Sequence, residues 1–138
     1  MQSRKDKAGW WLILEKGEEI KGTIEAWAKK EKIDGASISG VGAVKDVELA
    51  VYLPEKKQMA SRKFGGIYEL LSLSGNINVD GLHAHIVISD DSFGAMGGHL
   101  NSATIAVFGE FFAIPTSLVG KNPDAGTGLR KIDLGKKA

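Results

Sequence analysis

The 138-residue chain contains no cysteine, which excludes a disulfide scaffold and thiolate metal ligands, so any transition-metal site must be built from imidazole and carboxylate. It has almost no excess charge. Eighteen Lys and Arg against seventeen Asp and Glu leave a net +1 at pH 7, so no global field draws in nucleic acid. No Arg-Gly-Arg-Pro arm and no helix-turn-helix pattern is present to read a duplex. No apolar run approaches the roughly 18 residues of a membrane span. The opening MQSRKDKAG is charged and lacks a following cleavage pattern, and the protein is expected in the cytosol. Histidine is scarce too. There are three, and all fall in one stretch.

That stretch, Gly81 to His99, reads GLHAHIVISDDSFGAMGGH. Side chains alternate along a strand, so His83 and His85 project from the same face as a preformed pair. His99 follows Gly97 and Gly98, which let the backbone return close to its own strand without a Cβ in the way. Three neutral imidazoles then converge as a first coordination sphere for a divalent metal, zinc above all, at roughly 2.0 to 2.1 Å with a fourth position left open. The competing reading is a set of histidines that merely pack or hydrogen bond in a strand and a loop.

The runs GIYELLSLSGNI, HAHIVISDDSFGAMGGH and ATIAVFGEF resemble the plants and prokaryotes conserved (PPC) domain family, and the resemblance spans nearly the whole chain. It implies that the H-x-H and G-G-H histidines, here His83, His85 and His99, bind a metal, with zinc expected, and that the domain forms homotrimers. Plant members carry DNA-binding AT-hooks outside the domain. Free-standing prokaryotic members carry a family label of DNA binding.

Length and composition suit one soluble domain over residues 1–138, with 43% hydrophobic and 25% charged residues. Residues 1–8 and about 121–138 are expected to be flexible or peripheral. Trp10 to Leu14 reads as a strand, with Trp10 and Trp11 sealing the core or a subunit contact. Ile20, Ile24, Trp27 and Ala28 form one stripe of an amphipathic helix, with Glu18 and Glu19 in its first turn and Lys29, Lys30 and Lys32 at its end. Ile33-Asp34-Gly35 ends it, and Ala36 to Val41 is extended, with Gly40 and Gly42 marking a strand bend. Val47, Leu49, Val51 and Leu53 alternate in a strand stopped by Pro54. Met59 to Phe64 returns antiparallel, Tyr68 to Val79 is the next strand, and Asp80-Gly81 is a strong hairpin signal. Thr104 to Phe112 is a last long strand broken by Pro115, and the tail adds at most an edge strand through Leu129 and Ile132. The expected fold is α+β: a mostly antiparallel sheet of about six strands with one main amphipathic helix packed on it.

Register decides what surrounds the histidines. A two-residue loop that pairs Val79 with Leu82 puts Asn76 and Asn78 on their face, where they could orient imidazoles or a ligand. A loop one residue different brings Glu69, Leu71 and Leu73 there instead. Ser89 to Gly98 is expected to frame the metal's open side, with Asp90 and Asp91 as turn formers. Glu69 and Glu110 are the carboxylates on nearby strands that could shuttle a proton; no catalytic residue is assigned. The function expected is metal-dependent binding of, or action on, a small polar ligand. One alternative is a DNA-associated regulator, for which Arg4, Lys5, Lys7, Arg62 and Lys63 would form a patch only through folding and assembly. Another is an assembly module whose metal is structural. Val107, Phe108 and Phe111 are the apolar residues expected at the subunit contact.

Overall fold

A computed structural model describes residues 1–135, so the expectation for residues 136–138 lies outside the described residues. The order is β1 (Gln2–Lys5), β2 (Trp10–Glu15), α1 (Ile20–Lys30), β3 (Gly35–Leu53), β4 (Gln58–Asn78), β5 (Gly81–Ser89), β6 (Ala95–Thr116), β7 (Gly120–Pro123) and β8 (Arg130–Asp133). The first six strands form one antiparallel sheet in the order β1-β2-β6-β3-β4-β5. β5 also pairs with β6. The pairings β3, β4, β5, β6 therefore close into a ring, and β2 and β1 extend from the far part of β6. With one 11-residue helix, the single domain is largely β, more so than an even α+β mixture.

The sequence breaks that suggested separate strands are bends within long ones. β3, β4 and β6 run 19, 21 and 22 residues. Register shifts at Gly40/Gly42, Lys45/Val47 and Leu70/Ser72 mark where the extra residue of a bulge turns the strand. Met59 to Phe64 and Tyr68 to Asn78 are thus one strand. Pro115 does not break β6 either; it pairs with Ala36 beyond Ala113, the last residue flanked by β2, so its missing N–H faces no partner strand.

The helix buries Ile20, Ile24, Trp27 and Ala28, the stripe its 3.6-residue period dictates. Glu19 is its N-cap, accepting from the amides of Lys21 and Gly22 at 3.1 and 2.6 Å. The acids therefore lie at and before the cap instead of in the first turn, where they still face the positive end of the helix dipole. The core joins this stripe to Leu12, Leu14, Ile38, Val44, Leu73, Ile86, Ile105 and Phe111. Trp10 meets Trp27 edge to face at 5.7 Å, while Trp11 stays half-exposed beside Phe112. Phe111 is wholly buried, lying over Gly40 and Gly109, so it is a core residue and not a contact residue. A Cβ on Gly109 would fall 2.6 Å from its ring. Val107 and Phe108, by contrast, are 54% and 50% exposed.

The tail does not add an edge strand to the main sheet. β7 and β8 pair only with each other, and among the described residues no helix is long and apolar enough to cross a membrane.

Candidate metal centre

β5 has sheet neighbours on both sides, and its alternation is strict. Leu82, Ala84, Ile86 and Ile88 point into the core, leaving His83 and His85 on the opposite face. His99 on β6 lies directly across from His85, which puts the third imidazole on that face as well. The glycines before it permit the approach: a Cβ on Gly97 would lie 2.6 Å from the Ile86 carbonyl oxygen, and one on Gly98 2.8 Å from that of Ala50. One donor nitrogen from each ring lies within 4.8 Å of the other two. The ring centroids are 5.1 to 5.6 Å apart.

These three residues fit a metal. Tetrahedral coordination at 2.0 to 2.1 Å requires nitrogens about 3.3 Å apart, a distance that small side-chain rotations reach from the observed separation. Their protonation state also suits it. Burial first, then the positive charge of Lys121, lowers the His83 pKa below the ordinary 6.5. Burial, then the neighbouring His83 and His85, lowers that of His99. Both rings are thereby held neutral near pH 7, with lone pairs free to coordinate.

The hairpin that orients β5 is displaced by one residue from its expected position. Asn78 pairs with Gly81, so Val79 and Asp80 make the turn, and Gly81 takes the positive φ of 89° that follows it. Because both strands shift together, the face is kept but the partners change: Asn76 lies opposite His83 and Ser74 opposite His85. Asn78 donates to Asn76 Oδ1 at 2.7 Å and accepts from the Asp80 amide at 2.9 Å, so its side chain is committed to the turn. From the helix, Glu25 accepts from the Leu82 amide at 2.8 Å.

The histidines line a cavity of about 620 Å³ with Ala50, Val51, Tyr52, Met59, Gly98, Lys121, Leu129 and Arg130. Among the described residues, no carboxylate lines it. Glu69 opens onto a separate cleft with Val41, Leu71, Val107 and Phe108, and Glu110 onto another with Trp11 and Phe112. The Asp90–Gly94 turn, expected to frame the open side, lies beyond the far end of the β5–β6 pairing from His85. There Asp90 accepts from the amides of Ser92 and Gly94 and from the Ser92 hydroxyl. The frame is supplied instead by Lys121, Leu129 and Arg130 of the tail, a segment expected from its composition to be flexible or peripheral. Leu129 and Ile132 stand three residues apart, which is not the spacing of two that marks one face of a strand, and nothing local says where the segment docks.

The sequence profile of the Plants and Prokaryotes Conserved (PCC) domain matches residues 1–117. The chain belongs to this family. Among solved structures, a PPC protein of Pyrococcus horikoshii is 30% identical with a TM-score of 0.82, over 92% of each chain. A metal-containing protein of Archaeoglobus fulgidus is 29% identical with a TM-score of 0.82, over 95% of this chain and 94% of that one. A candidate DNA-binding protein of Bacteroides thetaiotaomicron is 26% identical with a TM-score of 0.89, over 96% of each. The bifunctional protein GlmU of a Synechococcus strain is 26% identical over 131 residues; the PPC chain is covered to 92% but spans only 20% of that protein's length.

Proposed function

We propose that this PPC protein binds one divalent metal, zinc, through His83, His85 and His99, and uses the metal's open position to hold a small polar ligand. The observation that carries the reading is the convergence of three imidazole donors within 4.8 Å on one wall of a 620 Å³ cavity. The metal-containing relative of Archaeoglobus fulgidus supports it. Three neutral nitrogens leave zinc a fourth position, where it acts as a Lewis acid towards an oxygen ligand. The protein's own contribution is to fix the three rings on rigid paired strands and to enclose the ligand. With Glu69 and Glu110 in other clefts, no carboxylate among the described residues of the cavity wall is available as a proton shuttle, so the reading is of binding without an assigned reaction.

A structural metal is the competing reading, and the fourth ligand separates the two. A crystal structure of the zinc-loaded protein is expected to show three imidazole nitrogens and one water or small-molecule oxygen on the metal. A protein group in the fourth position would make the metal structural and overturn the proposal.

Assembly as a homotrimer belongs to the same proposal. Exposed Val41, Leu71, Val107 and Phe108 line one apolar cleft on the outer face of the sheet, a surface that self-association would cover. The three-fold order rests on the family resemblance, because two-fold dimers are commoner in general. DNA binding is less well supported: it draws on the name of a 26%-identical relative, against a chain with 18 basic and 17 acidic residues.

A further inference from the structure

The tail hairpin that closes the cavity lies outside the residues matched to the family, and it is held in place by specific bonds. The Val79 amide donates to the Val119 carbonyl at 3.4 Å, joining the hairpin's base to the β4–β5 turn. Asp80 in that turn pairs with both Lys121, at 3.7 Å, and Arg130. Arg130 also donates to the Lys121 carbonyl at 3.0 Å, locking the two cations side by side across the hairpin. On the other side of the cavity, the Tyr52 hydroxyl donates to the Thr127 carbonyl at 2.6 Å. The lysine is no loose surface charge: its side chain is only 10% exposed and lines the cavity with the histidines.

Charge balance then poses a question. Two cations share one carboxylate, Asp80, so this wall of the cavity carries net positive charge before a metal arrives. A divalent metal placed among them worsens the imbalance unless an anion enters with it. Lysine and arginine are also the side chains suited to an oxyanion, the first as a compact point charge and the second as a planar fork. Val51, Met59 and Leu129 supply an apolar surface beside them.

We propose that Lys121 and Arg130, aligned by Asp80, recognise the oxyanion of a small organic ligand whose donor oxygen meets the metal, making the β7–β8 hairpin the anion-selective wall of the site. This rests on the three-histidine reading and adds the ligand's class: a carboxylate or phosphate on a short apolar body. It requires that anion and metal bind with positive coupling, each raising the other's affinity by the same factor.

The test is a titration of the metal-free full-length protein with Co²⁺, followed by visible absorption, in the absence and presence of inorganic phosphate or of butyrate. Cobalt affinity is expected to rise about fivefold or more with at least one of the two anions. The larger effect identifies phosphate or carboxylate as the headgroup. The gain should vanish in Lys121→Met/Arg130→Gln, which should still bind cobalt without added anion. It should survive at least in part in Lys121→Arg, which keeps both charges and the Arg130 fork and controls for simple loss of the hairpin.

No gain in the wild type, or an undiminished gain in the uncharged variant, overturns the clamp while leaving the histidine site standing. Complete loss of the gain in the charge-keeping variant overturns it too, since the two positive charges would then not be what holds the anion. A wild type that binds no cobalt removes the metal reading. In that case, phosphate- or butyrate-induced shifts of the Lys121 and Arg130 side-chain NMR signals decide the clamp alone, and their absence overturns it.

Discussion

His83 and His99 are where single-residue chemistry is most exposed to measurement. Their pKa values lie below the ordinary imidazole value of 6.5, chiefly because burial disfavours the charged ring. As pH falls through 6.5 the unfolded chain takes up these protons before the folded one does. Metal-free protein therefore loses stability from that point down to the lower folded values, and these two groups cost nothing more below them. Thermal melts of the metal-free protein between about pH 7.5 and about pH 5 should show this decline, and His99→Gln should flatten part of it. An unchanged slope in that variant would place the acid sensitivity elsewhere. The histidine pair could be read from sequence because spacing two on a strand fixes a face whatever the rest of the fold does. His99 needed the glycines as a clue, and the reason is steric: at Gly97 and Gly98 a Cβ would collide with neighbouring backbone oxygens. Lys121 and Arg130 carried no comparable clue, because their partner Asp80 is 41 and 50 positions away and only the fold brings them together.

Among the elements, the β7–β8 hairpin is the one whose position matters most and whose position was least visible in the sequence. Its own turn is well determined. Asp124 pairs with Lys131 at 2.8 Å and accepts from the Thr127 hydroxyl at 2.8 Å, and these bonds, the lysine's first, lower the pKa of its carboxyl to about 2. Its docking depends on few bonds, one of them from Tyr52. Tyr52→Phe keeps the ring and removes that bond, leaving the Thr127 carbonyl unpaired, at a net cost of about 1 kcal/mol. Amide exchange in Gly120–Pro123 and Arg130–Asp133 should then quicken several-fold while that in β5 stays protected. Equal exchange in both proteins would mean the hairpin is held by other contacts. Elsewhere the element pattern came through because the helix stripe and the strand alternation both report the core face directly. Long bent strands were divided wrongly, since a bulge and a turn draw on the same glycines and polar residues, and the pairing partner that distinguishes them is remote.

At the scale of the whole molecule, the closed ring of pairings positions the histidine face and leaves an apolar outer surface at Val41, Leu71, Val107 and Phe108. If three copies bury that surface, light scattering at micromolar concentration gives the mass of three chains, and Val107→Lys/Phe108→Glu lowers it without unfolding the protein. A mass of one or two chains for the wild type would contradict the trimer. The double variant is informative because both residues are half-exposed in the single chain, unlike Phe111, whose loss would damage the core itself. The proposed function stands on the three-histidine metal. Elemental analysis of the purified protein, set beside His85→Ala prepared identically, tests it most directly: the expected result is about one divalent transition metal per chain in the wild type and almost none in the variant. Full metal occupancy in His85→Ala, or none in the wild type after incubation with zinc, would contradict it.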